Sequence, residues 1–134
     1  MPPDPQVHTG VSAIVHRPAD GALLMVQRTG TALYADGRGS WCVPGGWLDF
    51  GETPRLAVCR EVLEETGVVV VAERDLGFVC NPSDDGARTI VTLMIGCRYV
   101  SNEPIVTEPE KCGRVEWDGR TLFLPLRLWI EGLL

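Results

Sequence analysis

No Cys-x-x-Cys pair occurs among the five cysteines (Cys42, Cys59, Cys80, Cys97 and Cys112), and their odd number argues against a disulfide framework. They read as reduced, mostly buried small residues. Histidine is scarce as well: His8 and His16 are the two in 134 residues, neither has a cysteine nearby, and both read as ordinary side chains rather than zinc ligands. Basic residues are outnumbered, 12 Lys and Arg against 18 Asp and Glu, for a net charge of -6. That balance weighs against binding to nucleic-acid polymers or to an anionic membrane surface, because both depend on clustered cations. Long apolar runs are missing too. Val68 to Ala72 and Ile90 to Ile95 fall far short of the roughly 20 residues that a spanning helix requires, so no membrane crossing is expected. Met1 to Gln6 shows neither the basic nor the apolar region of a secretory signal; the expectation is a cytoplasmic protein whose residues 1–8 form a flexible lead-in.

What is present is 45% hydrophobic content in a chain of single-domain length. Such a domain buries roughly two-thirds of its unfolded surface. Val11 to Val15 and Ala22 to Val26, separated by Pro18-Ala19-Asp20-Gly21, predict a hairpin. Gly30 to Ser40 reads as a loop, Trp41 to Val43 as a short strand, and Pro44-Gly45-Gly46 as its end. Thr53-Pro54 is a helix entry and Gly67 suits a left-handed exit, which predicts a helix over Pro54 to Thr66. Val68 to Val71, Leu76 to Cys80, Arg88 to Val100 and Arg114 to Trp117 have strand character. A last amphipathic helix is expected over Pro125 to Leu134. Strands, helix, strands, helix predict an α+β fold with a mixed sheet between helices, one domain over residues 1–134.

The predicted middle helix carries an unusual charge pattern. At 100° per residue, Glu61, Glu64 and Glu65 share an arc of about 100°, with Leu56, Cys59 and Leu63 expected on an opposite, core-facing side. Like charges three and four residues apart repel mildly, and a divalent cation reverses that penalty. Hard carboxylate oxygens suit magnesium or manganese, which fill the rest of their shell with water and substrate phosphates. Taken alone, the glutamates fit a solvated helix with an Arg60 to Glu64 pair better than they fit a metal site. The flanking residues reverse that order.

Gly46, Glu52, Arg60, Glu61, Val62, Glu64, Glu65, Gly67 and Val68 follow the pattern Gly-x5-Glu-x7-Arg-Glu-U-x-Glu-Glu-x-Gly-U, with U an aliphatic residue, at every position. By residue frequencies such a match arises by chance less than about once in a million chains of this length. On these residues the stretch from about Val11 to Trp117 resembles a Nudix domain. The resemblance implies a Nudix-type α/β/α sandwich with a mixed β-sheet and a catalytic loop-helix-loop. It implies metal binding by Glu61, Glu64, Glu65 and the Gly45 carbonyl, with magnesium as cofactor and manganese as a substitute. It makes Arg60 and Glu52 a supporting pair and Gly46, Glu52 and Gly67 structural positions of the motif. Physically, such a site activates water to displace a phosphate leaving group, with no serine or cysteine nucleophile. The general base stays open between Glu61, Glu64, Glu108 and Glu110.

Leu48 to Glu52, Val91 to Met94 and Glu108 to Cys112 resemble the MutT-related branch, whose members cut nucleoside triphosphates to a monophosphate and pyrophosphate. Pro82 lies one position short of the proline that the ADP-ribose branch carries, which lowers that substrate. For the base, candidates are Trp47, Thr92, Phe123 and Leu126, with Arg28 as a phosphate ligand. Trp47 departs from the smaller or basic residue common at its position. Alternatives kept open are ADP-ribose, an isoprenoid diphosphate, and a ligand-sensing module with little turnover. Partners expected are a small-molecule nucleotide or other diphosphate and, by resemblance, a second copy of the chain in a homodimer.

Overall fold

A computed structural model describes residues 6–28, 40–83 and 86–118. The strands are β1 (Gln6–His16), β2 (Leu23–Arg28), β3 (Ser40–Cys42), β4 (Gly45–Trp47), β5 (Val69–Pro82), β6 (Arg88–Ser101) and β7 (Cys112–Asp118), with one helix, α1 (Pro54–Thr66), between β4 and β5. They form one mixed sheet in the order β3-β2-β1-β6-β5, with β4 added to β1 and β7 to β2. The expected helix over Pro125 to Leu134 and most of the Gly30 to Ser40 loop lie outside the described residues.

β1 organises this sheet. It runs parallel to β6 from the Gln6–Arg88 pair to the His16–Arg98 pair, and its other edge meets β4 and then β2, both antiparallel. A strand enclosed in this way is apolar on both faces, which is why Val11 to Val15 reads as an almost unbroken hydrophobic run. Val11, Ala13 and Val15 pack towards α1 with Leu24, Val58 and Val62; Ile14 packs on the opposite side with Leu23, Met25, Trp41 and Met94. Full burial of side chains of this size contributes roughly 1.5–3 kcal/mol each.

Four expectations need correction. The flexible lead-in was expected over residues 1–8, yet Gln6, Val7 and His8 pair with Arg88, Thr89 and Ile90, because β6 is long enough to continue the ladder. Pro44-Gly45-Gly46 was expected to end a strand, and β3 does stop at Cys42, but Gly45–Trp47 forms a further strand, β4, that was not expected, since the lack of side chains lets the backbone lie directly on β1. The two strands expected over Val68 to Cys80 are one, β5, whose register shifts near Ala72 to Arg74 and Asp75 to Gly77 keep it paired with β6 through the polar stretch. Finally, Leu56 and Leu63 are exposed, and the buried side of α1 is Ala57, Val58, Val62, Glu65 and Thr66. The arc from Glu65 through Val58 and Val62 to Thr66 faces the sheet, so a glutamate belongs to the buried stripe and the two leucines turn outward.

The ends of α1 obey local rules. Thr53 accepts a hydrogen bond from the Leu56 amide at 3.3 Å, Pro54 opens the helix, and Gly67 closes it with φ at 73°. A Cβ at Gly67 would also come within 3.0 Å of Ile105. Gly67→Ala therefore combines a left-handed backbone with crowding and should cost at least about 1–2 kcal/mol; an unchanged urea midpoint would contradict this account of the helix end.

Candidate active site

The segment from Trp47 to Glu52 is bound to α1 through Arg60. Its guanidinium makes two hydrogen bonds to the Glu52 carboxylate, at 2.7 and 2.9 Å, and donates to the Trp47 carbonyl at 3.3 Å. The same group reaches Glu61 at 2.9 Å and Glu64 at 3.2 Å. This fork geometry holds the Glu52 carboxyl below its usual range, through the Arg60 hydrogen bonds first. Gly46 then lies so close to α1 that a Cβ there would sit 2.4 Å from the Glu61 carboxyl carbon. A side chain there would displace that carboxylate.

Beyond the helix, residues 102–107 return across its C-terminus and satisfy carbonyls that a helix end leaves open. The Asn102 side-chain amide donates to the Gly67 carbonyl at 3.1 Å, the Ile105 amide to that of Thr66 at 2.9 Å, and the Thr107 hydroxyl to that of Glu64. This anchoring carries the next turn, Glu108 to Cys112, alongside the glutamates. Lys111 lies 3.4 Å from Glu108.

These segments enclose a cleft of about 530 Å³. Glu61, Glu65, Gly45, Gly46, Arg28, Trp47 and Thr92 all line it, so residues named from separate parts of the sequence meet in one place. Glu65 is 5% exposed, and its Oε2 has no hydrogen-bond partner. Burial raises its carboxyl to about 7, against the opposing pull of Arg28, whose Nη2 is 3.7 Å away, and with the help of Glu61. Burial likewise pushes Glu61 up, with Arg60 opposing it.

Other expected residues fall elsewhere. Glu64 is half-exposed beside Arg60 and does not line the cleft. Glu110 is exposed on the turn and also lies outside the lining, because the Lys111 and Cys112 amides both close onto the Glu108 carbonyl and turn the chain there. Glu108 does not line the cleft either, but it is partly buried, and its charge acts on Glu65. Phe123 and Leu126 lie outside the described residues. Sequence reasoning missed Lys111, Cys42, Gly10 and Ser12, which line the cleft. Lys111 had a signal, its place within Glu108 to Cys112; the other three depend on which strands become neighbours.

Among the described residues no three acidic, histidine or cysteine side chains close around one point. The donor set still fits a hard divalent cation that takes one or two carboxylates and leaves its other positions to water and phosphate. An unpartnered buried carboxylate oxygen beside a second raised carboxyl is an unfavourable arrangement that such an ion relieves.

The Nudix domain family matches residues 6–130, and the chain belongs to that family. Within it the similarity runs to MutT-related members. A MutT-like protein of Streptomyces ambofaciens is 39% identical over 95 residues, 70% of this chain and 54% of that protein. An ADP-ribose pyrophosphatase of Methanocaldococcus jannaschii is 29% identical over 84 residues, 63% of this chain and 47% of that protein. The chain spans about half the length of these two relatives. Among solved structures, a MutT Nudix hydrolase from Burkholderia pseudomallei has a TM-score of 0.72 at 27% identity, covering 96% of this chain and 99% of that one. The family acts on nucleoside diphosphate derivatives and generally uses divalent metal ions. Among the described residues no helix is long and apolar enough to cross a membrane.

The buried glutamate gives a stability test. The folded-state value of Glu65, about 7, lies above its ordinary 4.5, so folding favours the protonated form. Below pH 4.5 the group costs nothing; as pH rises through 7 the metal-free protein loses stability on its account. Glu65→Gln should therefore gain stability over the parent in chelator at pH 8 relative to pH 5, measured by urea midpoints. An identical difference at the two pH values would contradict the buried carboxylate with its raised pKa.

Proposed function

We propose that the protein hydrolyses a nucleoside triphosphate, canonical or modified, to the monophosphate and pyrophosphate with magnesium as cofactor. The observation that carries this reading is the cleft itself, where Glu61 and the buried Glu65, one carboxylate oxygen of which has no hydrogen-bond partner, lie beside Arg28, Lys111, Trp47 and Thr92. Carboxylates, cations and an aromatic face in one cleft match the three parts of a nucleotide: its metal ion, its phosphates and its base.

Glu61 and Glu65, with the Gly45 carbonyl, are the residues that would hold the cation. When bound it supplies neutralisation of the phosphate charge and acidifies the attacking water; manganese is a substitute of the same hard character. Arg28 and Lys111 hold phosphate oxygens and stabilise the charge that develops on the departing group. A water oxygen forms a bond to phosphorus as the bond to the bridging oxygen breaks, and pyrophosphate leaves. The proton released by that water passes to a carboxylate, and Glu108 is favoured over Glu110 because it is partly buried and its charge reaches Glu65.

A second reading has a specific support: the Methanocaldococcus jannaschii relative is named an ADP-ribose pyrophosphatase. The chemistry is shared and the X group differs. Pyrophosphate and phosphate release from nucleoside triphosphates, ADP-ribose, dinucleoside polyphosphates and geranyl diphosphate separates them. Magnesium-dependent pyrophosphate release from a triphosphate is expected; turnover of ADP-ribose alone would replace the substrate and keep the mechanism, while binding without turnover of any compound would make the chain a sensor.

Glu65→Gln should lower turnover at least about a hundredfold with the fold intact, on the scale of lost catalytic electrostatics. Near-normal turnover in that variant would overturn the assignment of the cation site.

A further inference from the structure

Trp47, Gly10 and Thr92 form one row across three neighbouring strands, since Gly10 on β1 is paired with Trp47 on β4 and with Thr92 on β6. Residues directly opposite each other project to the same face of a sheet. The row therefore presents an indole, a position without a side chain, and a hydroxyl. Strands lie about 4.8 Å apart, which sets the two side-chain-bearing positions about 10 Å from each other with no side chain rooted between them. The gap depends on glycine: a Cβ at Gly10 would sit 3.2 Å from the Gly46 carbonyl oxygen and 3.8 Å from the Trp47 ring. All three residues line the cleft that holds Glu61 and Glu65.

The indole is half-exposed, at 47%, yet it is held in place. The Arg88 guanidinium lies over the ring, 5.9 Å from its centroid, and His8 meets it edge to face at 5.6 Å and 75°. His8 in turn shares a 3.0 Å hydrogen bond with Gln6, the residue paired with Arg88 across β1 and β6. Neither His8 nor Arg88 lines the cleft. A large exposed aromatic fixed by a cation and a second ring, at the edge of a gap, is preorganised for stacking: its rotamer freedom is already restricted before a ligand arrives.

We infer that this row is the slot for a planar heterocycle of the substrate, stacked on Trp47 with an edge towards Thr92, and that Arg88 and His8 are positioning residues that hold the indole for it. The inference rests on the reading of the cleft as a nucleotide site and deepens it. It makes the X group a ring with a π face and a hydrogen-bonding edge, and it disfavours a flexible hydrocarbon chain, which has no polar edge to meet the Thr92 hydroxyl and loses more rotamer freedom in lying along the indole.

The test compares the parent, Trp47→Ala, Arg88→Gln and Arg88→Lys in steady-state kinetics on the preferred nucleoside triphosphate, and in calorimetric binding of inorganic tripolyphosphate. Trp47→Ala should raise KM about tenfold or more, the scale of base stacking on an aromatic. Arg88→Gln should raise it about three- to fivefold with kcat unchanged, and Arg88→Lys, which keeps the cation, should recover most of that loss. Tripolyphosphate, which has no ring, should bind all four proteins alike. Nucleotide KM unaltered in both Trp47→Ala and Arg88→Gln would overturn the slot while leaving the nucleotide reading in place. Tripolyphosphate affinity falling in parallel with nucleotide affinity would overturn it too, by assigning the residues to the phosphates or to the fold. A parent protein that hydrolyses geranyl diphosphate and no nucleotide would instead remove the nucleotide reading, and the slot with it.

Discussion

The contact between α1 and the glycine segment depends on one side chain. Arg60 binds Glu52 through two hydrogen bonds, takes the Trp47 carbonyl, and touches Glu61 and Glu64, so a single planar cation joins the approach to the helix with the helix itself. Without it, the carboxylates of Glu52, Glu61 and Glu64 would lose their shared counter-charge and keep only the weaker pull of Lys111 on Glu61. Because the segment is held this close, Gly45 has no room for a side chain, and one at Gly46 would displace the Glu61 carboxylate. A Cβ at the first would meet the Val11 carbonyl oxygen at 2.2 Å, and at the second the Glu61 carboxylate.

From that constraint the electrostatics of the cleft follow. Burial of Glu65 in the stripe that includes Val58 and Val62 places a carboxylate where water cannot fully solvate it, and Arg28 compensates at a distance of 3.7 Å rather than in close contact. Burial of a carboxylate costs stability locally, a common division between the core of a fold and its chemistry. The loop over the end of α1 adds Glu108 and Lys111 on the other side.

Much of this was legible in the sequence wherever local chemistry decides the outcome. Thr53-Pro54 and Gly67 set both ends of α1, and the spacing of Gly46, Glu52, Arg60 and the glutamates pointed to the family. Local pattern failed where tertiary packing overrides it. Leu56 and Leu63 looked like core residues by hydrophobicity, yet the direction in which Glu61 and Glu65 must point turns them outward. β4 was missed because Gly-Gly-Trp has little strand preference and pairs only because the bare backbone fits against β1. Gly10, Ser12 and Cys42 give no sign of a site until the sheet order brings them to the cleft. Glu108 and Glu110 were equivalent in sequence, and a single turn separates their surroundings.

The central claim is that the Glu61 and Glu65 carboxylates form a seat for a hard divalent cation. Its most direct test is titration of the metal-free parent and of Glu65→Gln with manganese, followed by isothermal calorimetry. The account predicts saturable binding to the parent that is weakened strongly, or lost, in the variant. Equal manganese affinity in the two proteins would contradict it, whatever the substrate proves to be.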